Sequence, residues 1–128
     1  MKILTSEGNV KNAKSYPHWE ELYALLKDHE VKKIEGILPL EEIKRLVEWS
    51  DVFISIDSFL PHLIECYKID KKVIVLWGKS DPEIFGYAQN NNLLRDRVFL
   101  RNEQFKWWKD EPIDLEAFVS PDEVMKHL

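Results

Sequence analysis

Val52-Phe53-Ile54-Ser55-Ile56 runs straight into Asp57-Ser58-Phe59-Leu60-Pro61-His62-Leu63. An apolar run ends in a small polar pair, and a helical pattern begins at once. The same order returns at Val73-Ile74-Val75-Leu76-Trp77, which ends in Gly78-Lys79-Ser80-Asp81-Pro82. Runs that are apolar at almost every position suit strands covered on both faces, as in a parallel sheet. Between them, Pro61 to Ile69 reads as a short helix, with Leu63, Ile64 and Tyr67 toward the core. Ligands of parallel α/β sheets bind at the carboxyl ends of the strands. The two polar clusters therefore mark the expected binding edge.

The rest of the chain fits around this unit. Ile3-Leu4-Thr5 reads as a first strand, and Ser6 to Ser15 as a polar loop. Pro17 suits the first turn of a helix, because its missing N–H would be unpaired there anyway. Trp19, Leu22, Tyr23, Leu25 and Leu26 carry that helix to about Asp28. Val31 to Gly36 alternates like a strand. Leu40 to Trp49 has helical spacing at Leu40, Ile43, Leu46 and Val47, and its acidic start (Glu41, Glu42) complements the helix dipole. Pro82 to Asn92 reads as a loop with one helical turn at Glu83 to Tyr87, and Asn90-Asn91-Asn92 as part of that loop. Arg97-Val98-Phe99-Leu100-Arg101 reads as the fifth strand. Asn102 to Pro112 is aromatic and irregular, Leu115 to Phe118 forms a helical turn, and Ser120-Pro121-Asp122-Glu123 opens a terminal helix. Strands alternating with helices predict an α/β, Rossmann-like three-layer domain with a mainly parallel sheet of about five strands. Residues 1–128 are expected to form one domain.

Composition narrows the function. A net charge of −5 gives no reason to expect non-specific binding to nucleic acid or to acidic membranes. Cys66 is the one cysteine, so neither an internal disulfide nor a cysteine-based zinc cluster can form. It is expected to sit on a helix as a small apolar filler. No apolar run reaches the roughly 18 residues of a membrane span, and Met1 to Thr5 is too short for a signal peptide, so a cytoplasmic location is expected. His18, His29, His62 and His127 are widely spaced, and no metal site is expected. The chain has no GxGxxG, no phosphate-binding Walker loop and no Gly-x-Ser-x-Gly elbow, which makes Ser58 a poor candidate nucleophile.

Several side chains remain as site candidates, each with a simpler alternative. Asp57 and Ser58 stand where backbone N–H groups favour an anion such as a pyrophosphate; they serve equally as helix caps. His62 lies in the first turn of the same helix, as a ligand contact or a surface histidine. Lys79, Ser80 and Asp81 form a polar turn on the same edge. Lys14, in the loop after the first strand, is placed to meet a phosphate or simply to stay solvated. Trp107 and Trp108, with Phe105, Lys106 and Lys109, offer an aromatic platform for a base or sugar, or a cover for the sheet edge or an interface.

These elements together resemble the carboxy-terminal, donor-binding half of the heptosyltransferase family of lipopolysaccharide core biosynthesis. Lys14-Ser15-Tyr16-Pro17 is similar to the family's Lys-x-Trp-Pro element. Leu38-Pro39-Leu40-Glu41-Glu42 resembles the leucine-rich start of the helix before its key strand. Asp57-Ser58-Phe59-Leu60-Pro61-His62-Leu63 resembles the donor loop Asp-Ser/Thr-Gly-x-x-His-Leu. Gly78-Lys79-Ser80-Asp81-Pro82 is similar to Gly-Pro-Thr-Asp-Pro, Gly86 falls at a frequent family glycine, and Ser120 to Val124 is similar to the terminal helix. The resemblance covers nearly the whole chain. It implies one half of a GT-B fold that binds a nucleotide-sugar donor, ADP- or UDP-linked, and needs no other cofactor. Lys14, Asp57, Ser58, His62, Lys79, Ser80 and Asp81 would line that site, while the catalytic group stays unassigned.

Three departures shape the expectation. Phe59 replaces a glycine whose freedom allows a close phosphate approach or a positive φ. Lys79 replaces a proline and adds a cation. A strand-helix unit, with a glycine-acid element that touches the nucleoside, is missing between the first helix and Val31. The family's amino-terminal half, which supplies the acceptor site and a catalytic carboxylate, has no counterpart in these residues. Transfer needs acceptor and base positioned against the donor. The expectation is therefore a glycosyltransferase-like nucleotide-sugar-binding domain that works with a separate amino-terminal subunit or as a homodimer. Two alternatives stand beside it: a degenerate glycosyltransferase fold used for interaction or dimerisation, and a small standalone enzyme acting on a nucleotide or phosphorylated sugar.

Overall fold

The computed structural model describes residues 1–9, 11–106 and 111–128. Five strands, β1 (Lys2–Ser6), β2 (Glu30–Ile34), β3 (Val52–Ile56), β4 (Lys72–Trp77) and β5 (Asn91–Leu94), form one sheet in the order β2-β1-β3-β4-β5. Every pairing is parallel, with Ile3 opposite both Val31 and Val52, Ile54 opposite Ile74, and Ile74 opposite Asn91. Among the described residues five α-helices accompany them: α1 (Trp19–Leu25), α2 (Leu40–Trp49), α3 (Phe59–Tyr67), α4 (Pro82–Phe85) and α5 (Pro121–Met125). The expected Rossmann-like α/β layering is what forms.

Strand alternation divides the core between two faces. Ile3, Ile54, Ile56, Ile74 and Leu76 meet Trp19, Leu22 and Leu26 from the α1 segment and Val124 of α5. Leu4, Phe53, Val73, Val75 and Trp77 meet Ile43 and Val47 of α2 and Leu60 and Ile64 of α3. This is why β3 is buried at all five positions. Full burial of one such side chain contributes roughly 1.5–3 kcal/mol. The α3 face is narrow. Ile64 is buried, and Cys66, two residues or about 200° further round a helix, is exposed rather than a core filler.

The last strand departs from expectation. Arg97–Phe99 is a turn of 3-10 helix, capped by Asp96 accepting from the Val98 N–H, and Val98 is exposed. Arg97 is held instead by the Asp81 carboxylate. The fifth strand is Asn91–Leu94, where the sequence predicts a loop. Asparagine is poor in strands, but Asn92 has tertiary partners: its Oδ1 accepts from Trp77 Nε1 at 3.0 Å, and its Nδ2 donates to the Tyr87 carbonyl at 2.8 Å. Beyond β5 the chain crosses back to put Phe118 under Gly78, where a Cβ would collide with the Phe118 ring.

The order 2-1-3-4-5 places a topological switch point between β1 and β3. The chain leaves β1 toward one side of the sheet for β2, and later extends the other side from β3. Crevices form above such points, at the carboxyl ends of the strands.

Candidate functional site

The loop after β1 and the turn after β3 meet above the switch point. Asn12 and Ser15 lock the loop: Asn12 N–H donates to Ser15 Oγ at 2.9 Å, Ser15 N–H to the Asn12 carbonyl at 3.0 Å, and Lys14 N–H to Asn12 Oδ1 at 2.8 Å. This turn carries the Lys14 ammonium to 3.1 Å from Asp57 Oδ2. The approach is off-line for a hydrogen bond, and among the described residues no other donor reaches that buried oxygen. The two groups hold each other as charges, with Asp57 Oδ2 enclosed by the fold. A carboxylate only 9% exposed needs such a counterion.

Ser58 is the N-cap of α3, with its Oγ accepting from the Leu60 N–H at 3.4 Å. Pro61 has no N–H. Among the first three helical positions, Phe59 is left to offer a backbone donor, so this helix start is a lean anion cradle. Phe59 itself is not strained. It is the first residue of α3, and among the described non-glycine residues only Lys68 has a positive φ. What distinguishes it from glycine here is volume: its ring, 58% exposed, stands on the rim.

That ring separates two cavities. An open cleft is lined by Gly8, Asn9, Asn12, Lys14, Ile56, Asp57, Ser58 and His62, with Phe59 as one wall. Behind the wall lies a mainly apolar cavity of about 350 Å³, lined by Ile34, Ile37, Leu38, Leu40, Ile43, Phe59 and Leu60, with Ser6, Asn9 and Ser58 as its polar groups. Gly8 and Gly36, at φ +84° and +69°, turn the chain away from the ends of β1 and β2 and so open this space. On the other side of the cleft, Lys14, Asp57 and His62 also border a cavity of about 270 Å³, shared with Ser80, Arg101, Gln104, Phe105 and Lys106.

The turn after β4 has a different character. Arg101, whose side chain is 6% exposed, makes a paired contact with Glu111 (2.7 and 2.8 Å) and donates to Ser80 Oγ at 3.0 Å. The Arg101 hydrogen bond is the main cause that holds the Glu111 carboxyl below its usual range; burial opposes it. Asp81 caps α4 through the Glu83 N–H at 2.9 Å and takes two bonds from Arg97, at 2.7 and 3.2 Å. The Arg97 bond likewise lowers the Asp81 carboxyl. Gln104 receives the Asp81 N–H and donates to the Lys79 and Arg101 carbonyls. Lys79 Nζ lies 4.0 Å from Glu111.

Lys14, Asp57, Ser58 and His62 thus come together around one cleft, as their positions in sequence suggest. Ser80 reaches the neighbouring cavity with its hydroxyl turned to Arg101. Lys79 and Asp81 border neither cavity and are engaged with partners inside the chain. Sequence reasoning misses Arg101 and Gln104, because the first ends an apparent strand and the second falls in an irregular stretch. The apolar cavity had one available signal, a glycine just beyond a strand end at Gly8. Phe105 and Lys106 do border the site, whereas Trp107, Trp108 and Lys109 lie outside the described residues.

This fold has solved counterparts. The chain superposes on the dodecameric iron-containing heptosyltransferase TibC, in complex with ADP-D-beta-D-heptose, with a TM-score of 0.60 and 18% identity, over 94% of this chain and 35% of that one. A second structure of the dodecameric iron-containing glycosyltransferase TibC, from enterotoxigenic E. coli H10407, gives 0.55 and 18% over 94% of this chain and 36% of that one. The fold is glycosyltransferase-like. The chain spans about a third of TibC's length. No protein-family model matches the chain, and no curated protein matches it. Among the described residues no helix is long and apolar enough to cross a membrane, and no group of three or more His, Cys, Asp or Glu side chains is gathered as metal ligands.

Proposed function

We propose that this chain is a glycosyltransferase-like domain that binds a nucleotide-sugar donor across the β1/β3 switch point. The Lys14–Asp57 pair, set between two cavities, carries the reading. Lys14 and His62 would face the diphosphate, aided by the Phe59 N–H and by Lys106. The apolar cavity behind Phe59 would take the nucleoside, with the ring as a stacking surface and Ser6 and Asn9 as polar contacts. The sugar would extend toward Arg101 and Gln104.

Transfer would require an acceptor and a base held against the anomeric carbon. A second chain supplying an amino-terminal half, in an assembly, would provide them. TibC's ADP-heptose complex motivates ADP as the first nucleotide to try, with UDP as its competitor. Calorimetry with ADP, UDP and their sugar conjugates tests the reading. Saturable binding below millimolar concentration is expected, and its absence for every ligand would sink the proposal.

One feature favours a second reading. Ile37, Phe59 and Phe105 are 94%, 58% and 83% exposed along this same edge, which also suits a contact with another protein surface. Light scattering on the calorimetry sample separates the two: a tight dimer that binds no nucleotide supports an interaction module.

A further inference from the structure

We propose that Tyr87 is a positioning residue for His62, the end of a hydrogen-bonded chain that starts in the core and fixes the imidazole at the candidate site. The inference rests on the cleft being the ligand site, but its structural half stands without any ligand.

The chain begins at Trp77, the last residue of β4, 2% exposed. Trp77 Nε1 donates to Asn92 Oδ1 at 3.0 Å on the neighbouring strand, and Asn92 Nδ2 donates to the Tyr87 carbonyl at 2.8 Å. The Asn90 N–H reaches the same carbonyl at 3.0 Å. Gly86 permits this close passage: a Cβ there would lie 2.7 Å from the Pro82 carbonyl oxygen, 3.0 Å from the Trp77 ring and 3.2 Å from Asn92 Oδ1. The backbone of residue 87 is thereby anchored to β5, and through Asn92 to Trp77 of β4. From it the Tyr87 hydroxyl reaches 2.7 Å from His62 Nδ1, and the two rings meet edge to face at 5.3 Å.

An exposed histidine in the first turn of a helix would otherwise sample several rotamers, each with a different nitrogen toward the cleft. The Tyr87 contact selects one. A phenol is a stronger acid than a neutral imidazole N–H, so the hydroxyl donates and Nδ1 accepts. The hydrogen then sits on Nε2, which has no protein partner among the described residues. His62 borders both the open cleft and the cavity next to Ser80. A neutral imidazole held this way is a fixed donor to an anionic oxygen. Tyr87 borders neither cavity, which makes it a support rather than a ligand contact.

The test has two arms. In long-range ¹⁵N–¹H spectra of the unliganded protein, Tyr87→Phe should move His62 Nδ1 from the shift of a hydrogen-bonded acceptor to that of a free one, leaving His18, His29 and His127 unmoved. With ADP as the probe, Tyr87→Phe should weaken binding about fivefold, the equivalent of one neutral hydrogen bond. In a His62→Ala background the same substitution should change affinity by less than about twofold, because the contact it removes is already gone. An unmoved His62 signal overturns the proposal, as does a fivefold loss that persists without His62. If ADP binds neither protein, the nucleotide reading fails, and the imidazole spectrum alone decides the role of Tyr87.

Discussion

The turns after β3 and β4 look alike in sequence and differ in structure. Both close an apolar strand, both open a helix, and both carry a serine beside an aspartate. At Gly78–Pro82 the polar side chains face inward partners: Ser80 meets Arg101, Asp81 meets Arg97, and Lys79 approaches Glu111. At Asp57–His62 they border a cleft, and among the described residues Asp57 has a single ion-pair partner, on another loop. The path of the later chain makes the difference. The segment after β5 returns over the end of β4 and delivers two arginines there, whereas the end of β3 meets only Lys14 from the loop after β1 and borders the returning segment across a cavity. A polar turn at a strand end is a ligand site only if the chain leaves it uncovered.

Substitutions should separate the covered turn from the open one. Arg101→Met is expected to have the largest effect. Among the described residues it leaves Glu111 with only Lys79, 4.0 Å away, and it strips Ser80 of its donor, a loss of about 3 kcal/mol by analogy with other broken, largely buried pairs. Urea unfolding should show a lower midpoint at unchanged slope. A loss below about 1 kcal/mol would mean that this turn is not held together as its contacts suggest.

Lys14→Met tests the open turn and should behave differently. Its stability effect should be about 1 kcal/mol, since Asp57 can regain water from the cleft. Its effect on ADP affinity should be about tenfold, or 1.4 kcal/mol. A variant that loses stability as Arg101→Met does, while keeping its affinity, would make the two turns equivalent.

The smallest effect is the acid response of the covered turn. Asp81 and Glu111 have carboxyls lowered by arginine bonds, so the unfolded chain takes up protons before the folded one does as the medium acidifies. Their stabilisation is complete above the ordinary carboxylate range and is lost as pH falls through that range and on through the lower folded values. Arg97→Gln should flatten this decline only slightly, because Arg97 is half exposed. Urea midpoints between pH 7 and pH 3 measure it; an identical decline in the variant would remove the Arg97–Asp81 pair from the account.

Much of this architecture is legible in the residues alone. The buried strands β1, β3 and β4 and the amphipathic α2 come from apolar runs and from one helical period, because local pattern and tertiary environment agree there. So does the grouping of Lys14, Asp57, Ser58 and His62, since strand ends in a parallel sheet must share an edge. The terminal strand is not legible in this way. Val98 and Phe99 have strand propensity, yet Arg97 is drawn to Asp81 and the ladder instead takes Asn91 and Asn92; the Asn92 side chain finds partners on Trp77 and Tyr87. Long-range hydrogen bonds outweigh propensities that span only about 1 kcal/mol.

By itself, then, the sequence determined the layers, the edge on which polar groups gather and the residues that could meet a ligand. Periodicity and strand-end position are local properties of the chain. Only the tertiary structure decided which polar turn is covered, that Phe59 divides two cavities without backbone strain, and that Tyr87 reaches His62. Those outcomes depend on where the returning chain passes, which is set by contacts between residues far apart in sequence.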